Sequence, residues 1–133
     1  MATKAAKKIL VAEDDPDIRR IITLTLAKTG LVVLAAQDGE EAFEKAVSLQ
    51  PDAIVLDIGL PKMDGLALCE KLRRTDNTAQ IPVGFLTAEV GTESYKKAKN
   101  AGGLLYMPKP FKPEKLVSFV QILLASQRPA EEL

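Results

Sequence analysis

The chain has 133 residues, 47% of them hydrophobic and 27% charged, with no formal net charge, which predicts one globular domain without general attraction to nucleic acid or anionic membranes. No apolar run approaches the roughly 20 residues of a membrane span, no secretory signal is recognisable, and the single cysteine, Cys69, excludes an internal disulfide and favours the cytoplasm. The absence of histidine excludes catalysis that needs this residue and zinc sites that use it, and leaves carboxylate, lysine and hydroxyl chemistry.

Short apolar runs alternate with longer amphipathic stretches along the chain. The runs predict five strands, at 8–12, 31–36, 53–57, 81–86 and 104–107. The first helix is predicted to begin after the N-cap Asp15 and to end at Gly30, and the other four helices are predicted at 40–49, 65–75, 92–101 and 113–127. One face of the first helix is predicted to carry Ile18, Ile21, Ile22 and Thr25.

Five strands alternating with five helices predict a single α/β domain whose parallel sheet is covered on both faces. Right-handed crossovers restrict it to a few doubly wound orders, of which we favour 2-1-3-4-5, the flavodoxin-like (βα)5 sandwich with strand two at an edge. We expect one domain over residues 1–133, with a core at about 8–125 and frayed tails at 1–7 and 127–133.

Ionisable and polar residues follow the carboxyl ends of four of the predicted strands. Glu13 and Asp14 follow the first strand, Asp57 ends the third, Thr87 follows the fourth and Lys109 follows the fifth. In the order 2-1-3-4-5 these strands are neighbours, so the residues share one edge of the sheet, where doubly wound folds bind ligands. Strand two, at the sheet edge, ends without a reactive side chain.

Three acids close together repel one another unless a cation lies among them. Oxygen ligands suit a hard divalent ion, and few protein ligands completed by several waters favour Mg²⁺ over Ca²⁺. We expect Asp14 and Asp57 to be direct ligands, Glu13 to act partly through water, and the backbone carbonyl of Gly59 to supply another oxygen. The alternative is that the acids after the first strand only cap the first helix. We accept that alternative for Asp15 and Asp17, and favour a metal for Asp14.

An aspartate bound to a metal beside a lysine can attack phosphorus and form an acyl phosphate. Mg²⁺ and Lys109 would neutralise the phosphoryl oxygens, and Thr87 would hydrogen-bond one of them. Phosphoryl transfer to Asp57 would explain why a buried strand ends in an acid.

Four motifs resemble, in order and spacing, the receiver domain of two-component response regulators over about residues 8–125: ILVAEDDPDIR, PDAIVLDIGLPKMDG, TA at 87–88 and MPKPF at 107–111. The resemblance implies that Asp57 is the phosphoacceptor and that Glu13 and Asp14 are the acidic pair around Mg²⁺. It further implies that Thr87 is the switch hydroxyl and that Lys109 contacts phosphate.

The resemblance also assigns roles to residues outside the acidic pair. Tyr106 matches the aromatic residue whose rotamer follows Thr87, and Gly59 and Glu89 occupy positions that tune loss of the phosphoryl group. A cis peptide bond is common in the family at the position of Lys109-Pro110.

A stand-alone signalling switch is the implied function. The donor would be a histidine kinase or a histidine phosphotransfer protein, and the surface of strand 4, helix 4, strand 5 and helix 5 would control a downstream protein target. Residues 96–115 carry six lysines against one acid. A solvated helix face is the simpler interpretation of this charge, and docking of an acidic partner that depends on phosphorylation is the sharper hypothesis. We expect a monomer or a weak phosphorylation-dependent dimer, without DNA or membrane binding and without metabolic enzyme activity.

Two other functions compete with the switch. An unphosphorylated interaction module would keep only the fold, but stability alone would not keep mutually repelling acids together. An aspartyl-phosphate phosphohydrolase of the haloacid dehalogenase kind needs a second aspartate two residues after the nucleophile, where this chain has Gly59. We disfavour both.

Overall fold

The computed structural model of the protein describes residues 6–88 and 91–126. Its five parallel strands form one sheet in the order β2-β1-β3-β4-β5, which confirms the flavodoxin-like α/β fold. In chain order the elements are β1 (Lys8–Ala12), α1 (Pro16–Ala27), β2 (Val32–Ala36), α2 (Gly39–Leu49), β3 (Ala53–Asp57), α3 (Gly65–Arg73), β4 (Val83–Thr87), α4 (Thr92–Asn100), β5 (Leu105–Pro108) and α5 (Pro113–Ala125).

Aspartate side chains begin the first three helices. Asp15 accepts hydrogen bonds from two amides in the first turn of α1. Asp38 accepts one from an amide of α2, and Asp64 accepts one from an amide of α3. These caps satisfy amides that have no partner inside a helix. Each helix therefore begins at a defined residue after the loop that follows the carboxyl end of a strand.

Apolar side chains fill both faces of the sheet. Along β1, Leu10 and Ala12 belong to the cluster on the side of α2 and α3, while Ile9 and Val11 belong to the cluster on the side of α1 and α5. This alternation is the period of two of a strand, and it leaves the central strands buried on both sides. Cys69 is fully buried, and burial raises the pKa of its thiol to about 11, in keeping with a core residue.

The fourth strand lies later in the chain than the sequence pattern predicted. It begins at Val83 instead of residue 81 and includes Thr87. Ile81 is buried, but its amide bonds the carbonyl of Thr78 in the preceding turn. Pro82 has no amide to donate, so apolarity at this point marks the core and not the strand.

The buried face of α1 also differs from the prediction. Ile22 and Leu26 are fully buried, whereas Ile21 is 54% exposed. The apolar stripe of this helix therefore runs through positions four residues apart, and Ile21 lies outside it. Among residues 6–88 and 91–126, no helix is long and apolar enough to cross a membrane. The predicted end of α5 at residue 127 lies outside the described residues.

Candidate functional site

Three carboxylates converge at the carboxyl edge of the sheet, beyond the ends of β1 and β3. Glu13 and Asp14 follow β1, and Asp57 is the last residue of β3. The two strands pair in parallel with Ala12 opposite Leu56, so the residues that follow them lie side by side. One carboxylate oxygen from each acid lies within 4.8 Å of those from the other two. We call these three residues the acid cluster.

Lys109 reaches the acid cluster from the loop after β5. Its Nζ lies 2.5 Å from Glu13 Oε1 and 3.2 Å from Asp57 Oδ2. The side chains of Lys109, Asp57 and Glu13 are only 15%, 13% and 2% exposed, so these charge-assisted hydrogen bonds are poorly screened. The Lys109 amide donates to the carbonyl of Thr87, and the Lys109-Pro110 peptide bond is cis.

Burial and neighbouring charges act on both members of the closest pair. Burial raises the pKa of the Glu13 carboxyl, against the hydrogen bond from Lys109, which lowers it. Burial alone would lower the pKa of the Lys109 ammonium, but the hydrogen bond to Glu13 and the charge of Asp57 outweigh it and raise that pKa. Lys109 is therefore a cation at neutral pH, and one ammonium faces three acids. The excess of negative charge on oxygen ligands fits a hard divalent ion.

Glu13 and Asp14 differ in how they are positioned. Glu13 is buried, its amide donates to the carbonyl of Ala36, and its Oε2 accepts a hydrogen bond from the amide of Asp15. The Asp14 side chain is exposed to solvent. Glu13 is therefore fixed among protein groups, whereas Asp14 presents its carboxylate at the mouth of the site.

The turn after β3 packs against the end of its own strand. The amide of Gly59 donates to Asp57 Oδ1 at 3.2 Å, and the amide of Gly65 donates to the carbonyl of Ile58 at 2.8 Å. A Cβ atom at Gly65 would lie 2.4 Å from the carbonyl oxygen of Asp57, whereas one at Gly59 would meet nothing within 4 Å. Gly65 thus permits a close approach of backbone to backbone beneath the acid cluster.

Thr87 and Tyr106 lie on neighbouring strands beside the acid cluster. Thr87 ends β4 and is 2% exposed. Tyr106, in β5, is half-buried and pairs with Phe85 of β4. Its ring meets that of Tyr95 in α4 edge-on, with the ring centroids 5.9 Å apart. The contact between Tyr106 and Tyr95 therefore connects β5 with the exposed surface of α4, next to the strand that ends in Thr87.

Two predicted site features are not tested by the described residues. Glu89 lies outside the described residues, and the backbone carbonyl of Gly59 as a ligand stays a prediction. Sequence reasoning also missed Arg19, whose Nη1 donates to the carbonyls of Glu13 and Asp14 at 2.8 and 3.4 Å. The available signal was an arginine at the end of the first turn of the helix that follows the acids.

A family model for the response regulator receiver domain matches residues 9–121. The chain belongs to this family. Receiver domains are regulatory modules of two-component systems, and the matched range contains every member of the acid cluster, as well as Lys109. The resemblance stated from the motifs is therefore confirmed.

Similar proteins include both regulators and isolated receiver domains. The DNA-binding dual master transcriptional regulator RpaA of Synechocystis is 40% identical over 117 residues, which cover 88% of this chain and 48% of RpaA. Chemotaxis protein CheY4 of Vibrio cholerae is 32% identical with a TM-score of 0.86, covering 90% of this chain and 100% of that one. The receiver domain of sensor histidine kinase PA1611 from Pseudomonas aeruginosa, solved with magnesium coordinated in its active-site cleft, is 31% identical with a TM-score of 0.84, covering 92% and 100%.

The chain spans about half the length of the curated relatives it matches. RpaA is named as DNA-binding, so binding of DNA does occur among proteins similar to this one. This finding runs mildly against the expectation of no direct DNA binding.

Gly65→Ala tests the close approach beneath Asp57. We expect it to lower the free energy of unfolding by about 1–3 kcal/mol, because the backbone must shift to admit the methyl group. The higher helix propensity of alanine offsets at most about 1 kcal/mol of this cost. Gly59→Ala is the matched control and should change stability by about 0.5 kcal/mol or less in urea unfolding. Equal stability of the two variants would contradict the close contact.

Proposed function

We propose that this receiver domain is a phosphorylation-activated switch that accepts a phosphoryl group on Asp57. The observation that carries the proposal is the convergence of Asp57 with Lys109, Glu13 and Asp14 at one edge of the sheet. An aspartate beside an ammonium and a divalent-ion site has what phosphoryl transfer needs, which is a positioned nucleophile and neutralisation of phosphoryl charge.

Asp14 and Asp57 are the proposed direct ligands of Mg²⁺, with Glu13 acting partly through water and the Gly59 carbonyl adding an oxygen. The all-oxygen donor set and the excess negative charge support this assignment. The magnesium ion in the similar PA1611 receiver domain supports it as well. When bound, the ion would neutralise charge on the phosphoryl oxygens.

In the proposed transfer, a carboxylate oxygen of Asp57 forms a bond to phosphorus while the bond from phosphorus to the donor's imidazole nitrogen breaks. The bonding electron pair stays on that nitrogen, and the product is an acyl phosphate on Asp57 with a free imidazole on the donor. Lys109, whose Nζ lies 3.2 Å from Asp57 Oδ2, would pair with one phosphoryl oxygen. The Thr87 hydroxyl would donate a hydrogen bond to another phosphoryl oxygen.

The donor must be a separate site, because this chain contains no histidine. We propose a phosphohistidine of a histidine kinase or of a histidine phosphotransfer protein. An apolar groove of about 420 Å³ opens beside the acid cluster and is lined by Ile18, Ile21, Ala88, Lys109, Pro110 and Phe111. Because Lys109 belongs to both the groove and the site, a donor seated there would bring its imidazole to Asp57.

The output surface is proposed to be that of β4, α4, β5 and α5. Tyr95 and Leu104 are 48% and 51% exposed there, and Tyr106 links α4 to β5 through its contact with Tyr95. Lys96, Lys97 and Lys99 give α4 an exposed basic face. A partner with apolar and acidic groups fits this surface, and a shift of Thr87 toward the phosphoryl group would alter it through Tyr106.

An interaction module that is never phosphorylated remains the alternative function. It would account for the fold, but it would not account for a nearly buried lysine that bridges two acids. The proposal has three further parts. Gly59 and Glu89 would tune the loss of the phosphoryl group, and the domain would be located in the cytoplasm. It would be a monomer or a weak phosphorylation-dependent dimer.

Intact-mass measurement after incubation with acetyl phosphate and Mg²⁺ tests acceptance of the phosphoryl group. We expect the parent to gain one phosphoryl group, and to gain none when EDTA removes the metal. Asp57→Asn should gain none, because its amide is not a nucleophile, whereas the matched control Asp76→Asn, in the loop between α3 and β4, should behave as the parent. Modification of Asp57→Asn at the parental level would overturn the assignment.

Amide hydrogen exchange tests the output surface without a known target. With Mg²⁺ and beryllofluoride, which imitates an aspartyl phosphate, we expect exchange to change in residues 91–108 and to stay constant in α2. Asp57→Asn is the control in which neither segment should respond. A response confined to α2, or one that persists in Asp57→Asn, would contradict the proposed surface.

A further inference from the structure

We infer that Arg19 is a positioning residue for the divalent-ion site, and this inference rests on the proposed function. Arg19 lies in α1, with its Nη1 2.8 Å from the carbonyl oxygen of Glu13 and 3.4 Å from that of Asp14. The first distance is that of a good hydrogen bond and the second is that of a weaker one. One guanidinium nitrogen thus bridges two consecutive carbonyls of the loop that carries the acids.

The backbone of Asp14 needs such a support, because no described residue holds the Asp14 side chain in place. Its carboxylate is exposed, and within residues 6–88 and 91–126 no group donates a hydrogen bond to it. Glu13, by contrast, is fixed by Lys109 and by the amide of Asp15. The direction of the Asp14 carboxylate therefore depends on the backbone from which it projects.

The two bonded carbonyls determine that backbone. The Glu13 carbonyl belongs to the peptide plane before the Asp14 Cα, and the Asp14 carbonyl belongs to the plane after it. Fixing both planes fixes φ and ψ at Asp14, and with them the direction of its Cβ. The Arg19 amide also bonds the Asp15 carbonyl at 2.9 Å, so the first turn of α1 and the loop form one unit.

Within the described part of the chain, the charge of Arg19 is not used in an ion pair. Among the described residues, no carboxylate lies within salt-bridge distance of its guanidinium. As a cation near a cation site, Arg19 would weaken metal binding by Coulomb repulsion alone. Loss of the hydrogen bonds from Arg19 would weaken Mg²⁺ binding, whereas loss of its positive charge would strengthen it. The sign of the change in Mg²⁺ affinity therefore distinguishes the two effects.

Isothermal titration of the metal-free protein with Mg²⁺ separates the two effects. Arg19→Met removes the bridging hydrogen bonds, and the matched control Arg20→Met removes the same charge one residue further, at an exposed position of the same helix. Groups that orient metal ligands are typically worth 10–100-fold in affinity, so we expect Arg19→Met to weaken Mg²⁺ binding about 10-fold. Arg20→Met should stay within about 2-fold of the parent, or bind slightly tighter.

Arg19→Lys keeps the charge but loses the fork of donors, and it replaces Arg19→Met if that variant does not fold. We expect it to bind Mg²⁺ more weakly than the parent. In the metal-free protein, amide exchange at Asp14 and Asp15 should be faster in both Arg19 variants than in Arg20→Met.

Equal or tighter Mg²⁺ binding by the Arg19 variants would overturn the inference and leave the proposed function intact. A parent whose Mg²⁺ binding does not depend on Asp14 and Asp57 would overturn the metal site itself, and the inference with it. Asp14→Asn and Asp57→Asn, titrated in parallel, distinguish these two outcomes.

Discussion

Repulsion among the carboxylates of Glu13, Asp14 and Asp57 is the constraint around which the carboxyl edge of this protein is built. Placing three acids within 4.8 Å of one another opposes folding unless positive charge offsets it. Lys109 supplies part of that charge by bridging Glu13 and Asp57. The remaining negative charge is unfavourable for stability alone, but it would attract a divalent ion. That ion would in turn neutralise the negative charge of a bound phosphoryl group.

The sheet order makes this constraint unavoidable. Because β1 pairs with β3, the residues after one strand lie beside the end of the other, and β4 and β5 continue in the same direction. Lys109 reaches across the end of β4, and its amide is bonded to the carbonyl of Thr87. Lysine, hydroxyl and acids therefore come from four separate βα units, and no local segment holds the site. The acid cluster, the proposed metal site and the carboxyl ends of β4 and β5 therefore share this one edge.

Much of this arrangement could be predicted from the sequence. The runs that end in Ala12 and Asp57 gave the bounds of β1 and β3, because central parallel strands are apolar throughout and end abruptly. The boundary of β4 was missed because Ile81 is buried without belonging to the ladder, and Ile21 was placed on the wrong side of α1 because several stripes fit one short helix. Gly65 and Arg19 could not be found from periodicity. Their importance lies in contacts with backbone atoms of Asp57, Glu13 and Asp14, which exist only after the strands have assembled.

A structure determined with Mg²⁺ and beryllofluoride would test the shared site most directly. The convergence of these residues predicts beryllofluoride on a carboxylate oxygen of Asp57, the metal ion contacted by Asp14 and Asp57, and Lys109 Nζ moved from Glu13 to a fluorine atom. An adduct on another acid, or a metal ion bound away from Asp14 and Asp57, would contradict it.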